Sequence, residues 1–373
     1  ATANDNDGDG RDDILEYGFD AAFPRNDASN SGVMRYCSIR HGGYEVGDGN
    51  EINGLTLGGV GSDTIIEFIE VVSNQDDGIE FFGGTVNTSN LAMIFNQDDS
   101  YDIDEGHLGT HQFWFAVQNP NSADNGGEWD GVTGGSKGST DPGVLRSAPQ
   151  IYNATFVGPG AASGVTGSDK GNNGFLIDDY FAGQVFNSVF HDFGEALTEV
   201  TSDPEGGFGS ENSTLGAFGD FGGTNPSVLD TASRPGFVLT NPFFTGLGVA
   251  QNGHTDAQTA LEFTEYTRDG SFFLTTLDAR PTASSPLLAS NGAVVSAGAP
   301  QTAGYRGAFG PTAVDQWLTN WSWYAEQGYL GGMATGSVAV TGIGPVDADT
   351  IFIEFQSSAA STAHEVKSSD DLV

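Results

Sequence analysis

Basic side chains are almost missing from this chain. Of 373 residues only 12 are lysine or arginine, and Lys137, Lys170 and Lys367 are the only lysines, against 50 aspartates and glutamates. Nucleic acid and anionic lipid are bound by neutralising phosphate with Lys and Arg, so a net charge of −38 speaks against both as partners. Cysteine is nearly absent too. Cys37 alone excludes an intrachain disulfide, and within the apolar run Val33–Ile39 it reads as an inert buried thiol. No apolar run approaches the ~18 residues of a membrane span, and the first residues lack the charged and apolar segments of a signal peptide.

What is abundant is glycine, 55 of 373, roughly twice the usual ~7%. Interior glycine costs a helix roughly 1 kcal/mol against alanine, so many short strands with tight turns are predicted instead of long helices. The acid excess favours divalent cations and stays soluble where salt screens self-repulsion, which fits a saline or calcium-rich exterior.

Cation chemistry is suggested at once. Asp5, Asp7, Asp9, Asp13 and Glu16 place oxygens at loop positions 1, 3, 5, 9 and 12, with Gly10 at position 6 and Arg11 at position 7, where a backbone carbonyl serves. Alternate side chains in a tight loop converge on one hard cation, and Glu16 can supply two oxygens. This is the spacing of an EF-hand-type calcium loop; no helix precedes it, so a lone structural site is expected.

The organising feature is a repeat. Asn74-Gln75-Asp76-Asp77 returns 22 residues later as Asn96-Gln97-Asp98-Asp99, and Asn50 begins a fainter copy 24 residues upstream. Such a period signals a solenoid whose coils bury their apolar faces only against one another. Leu55/Leu57, Ile79/Phe81 and Tyr101/Ile103 give one short apolar-faced strand per coil, and Leu91/Met93/Phe95 and Phe113/Phe115/Val117 a second. The expected fold is an all-β, right-handed parallel β-helix. Asn50, Asn74 and Asn96 are predicted to form a stacked ladder at one corner.

Three regions are expected: a calcium-loop segment at 1–30, the β-helix at 31–330, and a C-terminal β-hairpin or the start of a sandwich at 331–373. Loop insertions are placed at about 119–147 and 201–300. The aromatic cluster Tyr305, Phe309, Trp317, Trp321 and Trp323 is expected to cap the open end of the solenoid, with a short helix over 317–324. Strands are predicted at 350–355 and 364–367. Both termini read as those of a piece of a longer precursor.

The runs Ser31–Tyr36, Asn53–Gly61, Asp76–Val86 and Tyr305–Phe309 together resemble a family of secreted bacterial parallel β-helix proteins of unassigned activity. The resemblance implies export and the β-helix fold, and brings no enzymatic role.

Asp76, Asp77, Asp98 and Asp99 are the candidate catalytic set, as paired carboxylates on adjacent coils. The NQDD string also resembles the paired aspartates of polygalacturonases, but Gly106-His107-Leu108-Gly109 departs from their GHG, and their other motifs are missing. A lyase scheme needs an Arg or Lys base, and none lies between Arg40 and Lys137. The alternative is a second calcium region at Asp98, Asp99, Asp102, Asp104 and Glu105. His107 and His111, four apart outside a helix, are not expected to share a face. The sequence therefore predicts a secreted, calcium-stabilised structural or adhesive β-helix that self-associates end to end. A polysaccharide-binding or polysaccharide-degrading protein is the other reading.

Overall fold

The computed structural model describes residues 25–44, 52–131, 147–160, 174–178, 181–193, 263–291 and 299–331, together with the backbone of seven further strands between 198 and 357. Strands β1 (Val33–Arg40), β3 (Ile65–Val72), β5 (Asn87–Ile94) and β7 (Thr110–Val117) alternate with short strands β2 (Leu55–Gly58), β4 (Ile79–Phe82), β6 (Tyr101–Asp104) and β8 (Gly127–Asp130). Odd strands pair with odd in parallel, and even with even, giving two stacked sheets. The long sheet continues through β9 (Gln150–Tyr152) with β10 (Thr155–Val157), and β12 (Gln184–Phe186) with β13 (Val189–His191); β11 (Phe175–Asp178) extends the short sheet. The chain is a parallel β-helix.

Each long strand is bent by one residue. Tyr36, Phe68, Asn90, Phe113, Asn153 and Asn187 stand in register, and all six have φ between 51° and 61°. A left-handed residue turns the chain and breaks the period-2 alternation of the strand. Non-glycine residues there are strained, and their side chains supply compensation. Tyr36 stacks on Phe68 at 4.7 Å, and Asn153 donates to the Tyr305 carbonyl at 2.8 Å. His41, Ser73 and Phe95 turn the next corner, and Gly59, Gly83 and Glu105 the third, all at positive φ. Gly84 (φ +78°) is there of necessity, since a Cβ would lie 2.5 Å from the Val60 carbonyl oxygen.

The bend decides which residues face inward. Leu91 and Met93 enter the helix core, as expected, but their partners one coil on are Trp114 and Ala116. Phe113 occupies the corner, while Phe115 and Val117 face outward, contrary to the predicted apolar face. The spacing there is 23 residues, Leu91 to Trp114, and not the 22 of the asparagine column. Inside, Tyr101 and Trp114 stack at 4.2 Å, and the Tyr101 hydroxyl donates to the Leu91 carbonyl at 2.9 Å.

The outward residues Val72, Ala92, Ile94, Phe115, Val117, Val157 and Val189 form a second core with a layer drawn from 263–291 and 299–331. That layer holds an antiparallel hairpin, Phe263–Arg268 with Leu274–Pro281, and one helical turn α1 (Trp323–Glu326) capped by Ser322. The tryptophan cluster thus covers a side of the long sheet and does not cap the end, because the left-handed bend turns an apolar row outward. Glu70, fully buried, accepts the Trp323 and Tyr324 backbone N–H groups at 2.8 and 2.9 Å and a hydrogen bond from Ser38. Glu70→Ala strands both N–H groups, at a cost of about 2–4 kcal/mol. Hydrogen exchange should then show 263–331 exchanging faster while the amides of β5 and β7 keep their protection.

Two further expectations change. Gly127–Asp130, expected within an insertion, is strand β8, with Trp129 taking the inward place of Phe81 and Ile103. The C-terminal pair is Val338–Pro345 with Ile351–Ser357, antiparallel, whereas 364–367 lies outside the described residues.

Candidate functional site: the acidic face of the short sheet

The short strands read Ile-Glu-Phe-Phe, Tyr-Asp-Ile-Asp and Gly-Glu-Trp-Asp. Alternation sends Ile79, Phe81, Tyr101, Ile103 and Trp129 inward, so Glu80, Asp102 and Glu128 form a column on the outer face, one per coil. Neighbouring strands lie ~4.8 Å apart. The turn before each strand adds the predicted aspartates: Asp76, Asp77 and Asp99 are buried, and Asp98 is half-buried.

These turn aspartates do structural work. An Asp77 carboxylate oxygen accepts the Asp99 N–H at 3.0 Å, and an Asp99 oxygen accepts the Asn125 N–H at 2.6 Å. Each carboxylate ties its own turn to the next. The asparagine column bonds similarly, side chain to backbone and not amide to amide. Asn96 Oδ1 accepts the Asn74 N–H at 3.1 Å, and the Asn74 amide donates to the carbonyls of Ile52 and Asp77. Asn50 lies outside the described residues.

Two groups bring three carboxylates together: Asp76, Asp77 and Asp98, and Asp77, Glu80 and Asp102, each with one oxygen per residue lying within 4.8 Å of the others. Burial raises Asp77 well above the carboxylate range, helped by Asp76 and Asp98. Burial also raises Asp99, with Glu128 and Asp77 adding to it, and Asp102, with Asp77 and Glu80 adding. Glu80 is pushed up to about 7 by burial, against hydrogen bonds from Asn53 and Asp102. The charges acting on these groups come from other carboxylates.

Such a stack is compatible with the folded state in two ways: shared protons, or a cation. Oxygens on opposite sides of a calcium ion are separated by about twice 2.3–2.6 Å, so carboxylate oxygens within 4.8 Å of one another lie inside the span of a calcium shell. Of the predicted second calcium set, Asp98 and Asp102 join these groups. Asp104 and Glu105 join neither among the described residues, and Glu105 is exposed at a corner. Glu80 and Glu128 were missed, although their shared second place in each short strand marks them. The N-terminal set Asp5, Asp7, Asp9, Arg11, Asp13 and Glu16 lies outside the described residues.

His107 and His111 do meet, against expectation. Both are fully buried, Nε2 to Nε2 is 2.9 Å, and both rings pack on Phe81. That separation is a hydrogen bond. A zinc ion with two ligands at ~2.0–2.1 Å needs more room between them.

A parallel β-helix with a carboxylate-lined outer face is the class that fold and site define. A family model described as a pectate-lyase-like β-helix domain matches residues 2–202, just over half of the 373. The chain belongs to that pectate-lyase-like β-helix family. Comparison with curated proteins and with solved structures finds no match.

Proposed function

We propose that this chain is a secreted structural or adhesive β-helix of the cell surface or matrix, with its acidic face held together by calcium. The observation that carries the reading is the group formed by Asp77 and Glu80 of one coil with Asp102 of the next, where burial and repulsion act together. A cation bridging coils converts that repulsion into cross-linking, and an exterior rich in calcium supplies it. The N-terminal loop from Asp5 to Glu16 is a second, independent calcium site in this reading.

Thermal unfolding with calcium and with excess chelator tests it. A ligand at 100 times its Kd stabilises by about 2.7 kcal/mol, or roughly 5–10 °C at ~2–4 °C per kcal/mol. Asp5→Ala with Glu16→Ala removes one part of the shift and leaves the part due to the acidic face. An unchanged melting temperature on chelation overturns the proposal.

Self-association end to end belongs to the same reading. It is supported by the first described coil, where Met34, Cys37, Ile39 and Leu55 remain only partly buried. Light scattering across a concentration series decides it, and a monomer at every concentration defeats it.

Family membership favours one other reading, action on a polysaccharide at the acidic face. New reducing ends or unsaturated products from acidic polysaccharides, abolished by Asp99→Asn, would establish it in place of the first.

A further inference from the structure

The outer face of β3, β5 and β7, before the left-handed bend, lies away from the acidic face and carries a different chemistry. A recess of about 240 Å³ opens there, between the sheet and the segment at 300–301. Asn87, Ser89 and Thr110 offer hydroxyl and amide groups on its floor, and Ile65 and Pro300 give it apolar patches. Its far wall is fixed to the sheet. Gln112 donates from Nε2 to the Gln301 carbonyl and accepts the Gln301 N–H at Oε1, both at 2.8 Å.

The charge of this recess sets it apart. Of its twelve lining residues only Glu67 ionises, and Arg35 Nε pairs with it at 2.8 Å. In a chain with 50 acidic residues and a net charge of −38, that is a neutral window. Asn87 already accepts the Thr110 N–H through Oδ1, which leaves its NH₂ group as a donor.

Along the chain, Arg35 and Glu67 are each followed by a corner aromatic, Tyr36 and Phe68. Tyr36 is 59% exposed, although it is stacked on Phe68 with the rings 10° from parallel, and Trp321 sets an edge against both. An exposed ring backed by other rings is a rigid apolar platform, and the row beside this corner runs from the mutually neutralised Arg35 and Glu67 to Ser89 and Gln112 in the recess.

We propose that the recess and the aromatic corner bind a neutral glycan, with one sugar in the recess and the chain running along the helix axis over Tyr36. The hydroxyl-rich edge of a sugar matches Asn87, Ser89 and Thr110, and its apolar face matches the ring. A polyanion is disfavoured by the field of the whole protein. This site is independent of the calcium reading and of chemistry at the acidic face, so either of those can fail without touching it.

The test is affinity electrophoresis of the full chain in gels containing mannan, xylan or mixed-linkage β-glucan, alongside polygalacturonate and alginate. Titration with soluble oligosaccharides of the retarding glycan follows, read by tryptophan fluorescence. At least one neutral glycan should retard the protein and alter its fluorescence. Ser89→Trp, which fills the recess, and Tyr36→Ala, which removes the exposed ring, should each weaken binding at least tenfold while circular dichroism stays native. Chelator and Asp102→Asn should leave it unchanged. Retardation by acidic glycans alone, by none of the five, or equally in both variants overturns the assignment.

Discussion

Asp102→Asn should raise the melting temperature of the calcium-free protein at pH 8 and, in the same protein, shrink its response to added calcium. The amide keeps the size of the side chain and removes a charge that burial, Asp77 and Glu80 all oppose. Relieving one such charge is worth about 1–3 kcal/mol, or roughly 2–12 °C at ~2–4 °C per kcal/mol. Raised folded-state values for Asp77, Asp99 and Asp102, and about 7 for Glu80, mean that the folded chain binds more protons than the unfolded one from about pH 4 upward. Stability of the calcium-free protein therefore falls as pH rises through that window, the reverse of a salt-bridged carboxylate. Calcium needs the deprotonated ligands, so its stabilising effect grows with pH over the same range. Unfolding curves between pH 4.5 and 8.5, with calcium and with chelator, should diverge as pH rises. A lower melting temperature for Asp102→Asn in chelator at pH 8 would mean that the carboxylate is favourably solvated or paired, and would remove the case for a cation there.

The coil was legible in the sequence because asparagine and glycine mark its corners, and corners recur whatever fills the strands. The inward row of the short strands was legible over three coils, since Leu55/Leu57, Ile79/Phe81 and Tyr101/Ile103 occupy matching alternate positions, whereas Trp129 follows a longer connection and falls in a stretch that reads as an insertion. Alternation failed on the long strands. A single left-handed residue at Asn90 or Phe113 shifts the phase by one, and nothing in a period-2 pattern announces a residue that spends its turn at a corner. The docked layer had no local signal at all, because Glu70 meets Trp323 and Tyr324 across some 250 positions of sequence. At the candidate site the repeated NQDD string drew attention to the turn. Glu80 and Glu128, which differ in their surroundings from coil to coil, share only the register that the fold imposes.

His111→Phe should cost about 3–5 kcal/mol, comparable to a large core truncation, although it exchanges one buried ring for another. The reason is a hydrogen-bond chain whose direction is determined end to end. The Gly83 carbonyl oxygen can only accept, so His107 Nδ1, 2.7 Å away, carries a proton. Neutral His107 then accepts at Nε2 from the Nε2–H of His111, at 2.9 Å. His111 Nδ1 in turn accepts the Thr88 hydroxyl at 2.9 Å, and Thr88 Oγ1 accepts the Trp114 indole N–H at 2.9 Å. Every member is satisfied only while both imidazoles are neutral and hold opposite tautomers. Phenylalanine leaves an acceptor on His107 and a donor on Thr88 unpaired in the core. Burial lowers His107 to about 4 and holds His111 well below the ordinary imidazole value, with His107 adding to the latter. The unfolded chain takes up these protons first. The stability this chain contributes is complete above about pH 6.5 and is lost as pH falls toward 4, at about 3 kcal/mol for His107 alone. Its slope is opposite to that of the carboxylate stack, so the calcium-free protein should be most stable at an intermediate pH, and His111→Phe should move that optimum lower. Nitrogen-15 chemical shifts supply the direct check, with His107 protonated at Nδ1 and His111 at Nε2 near neutral pH. The same tautomer on both rings, or either of these two histidines titrating near 6.5 in the folded protein, would break the chain as drawn.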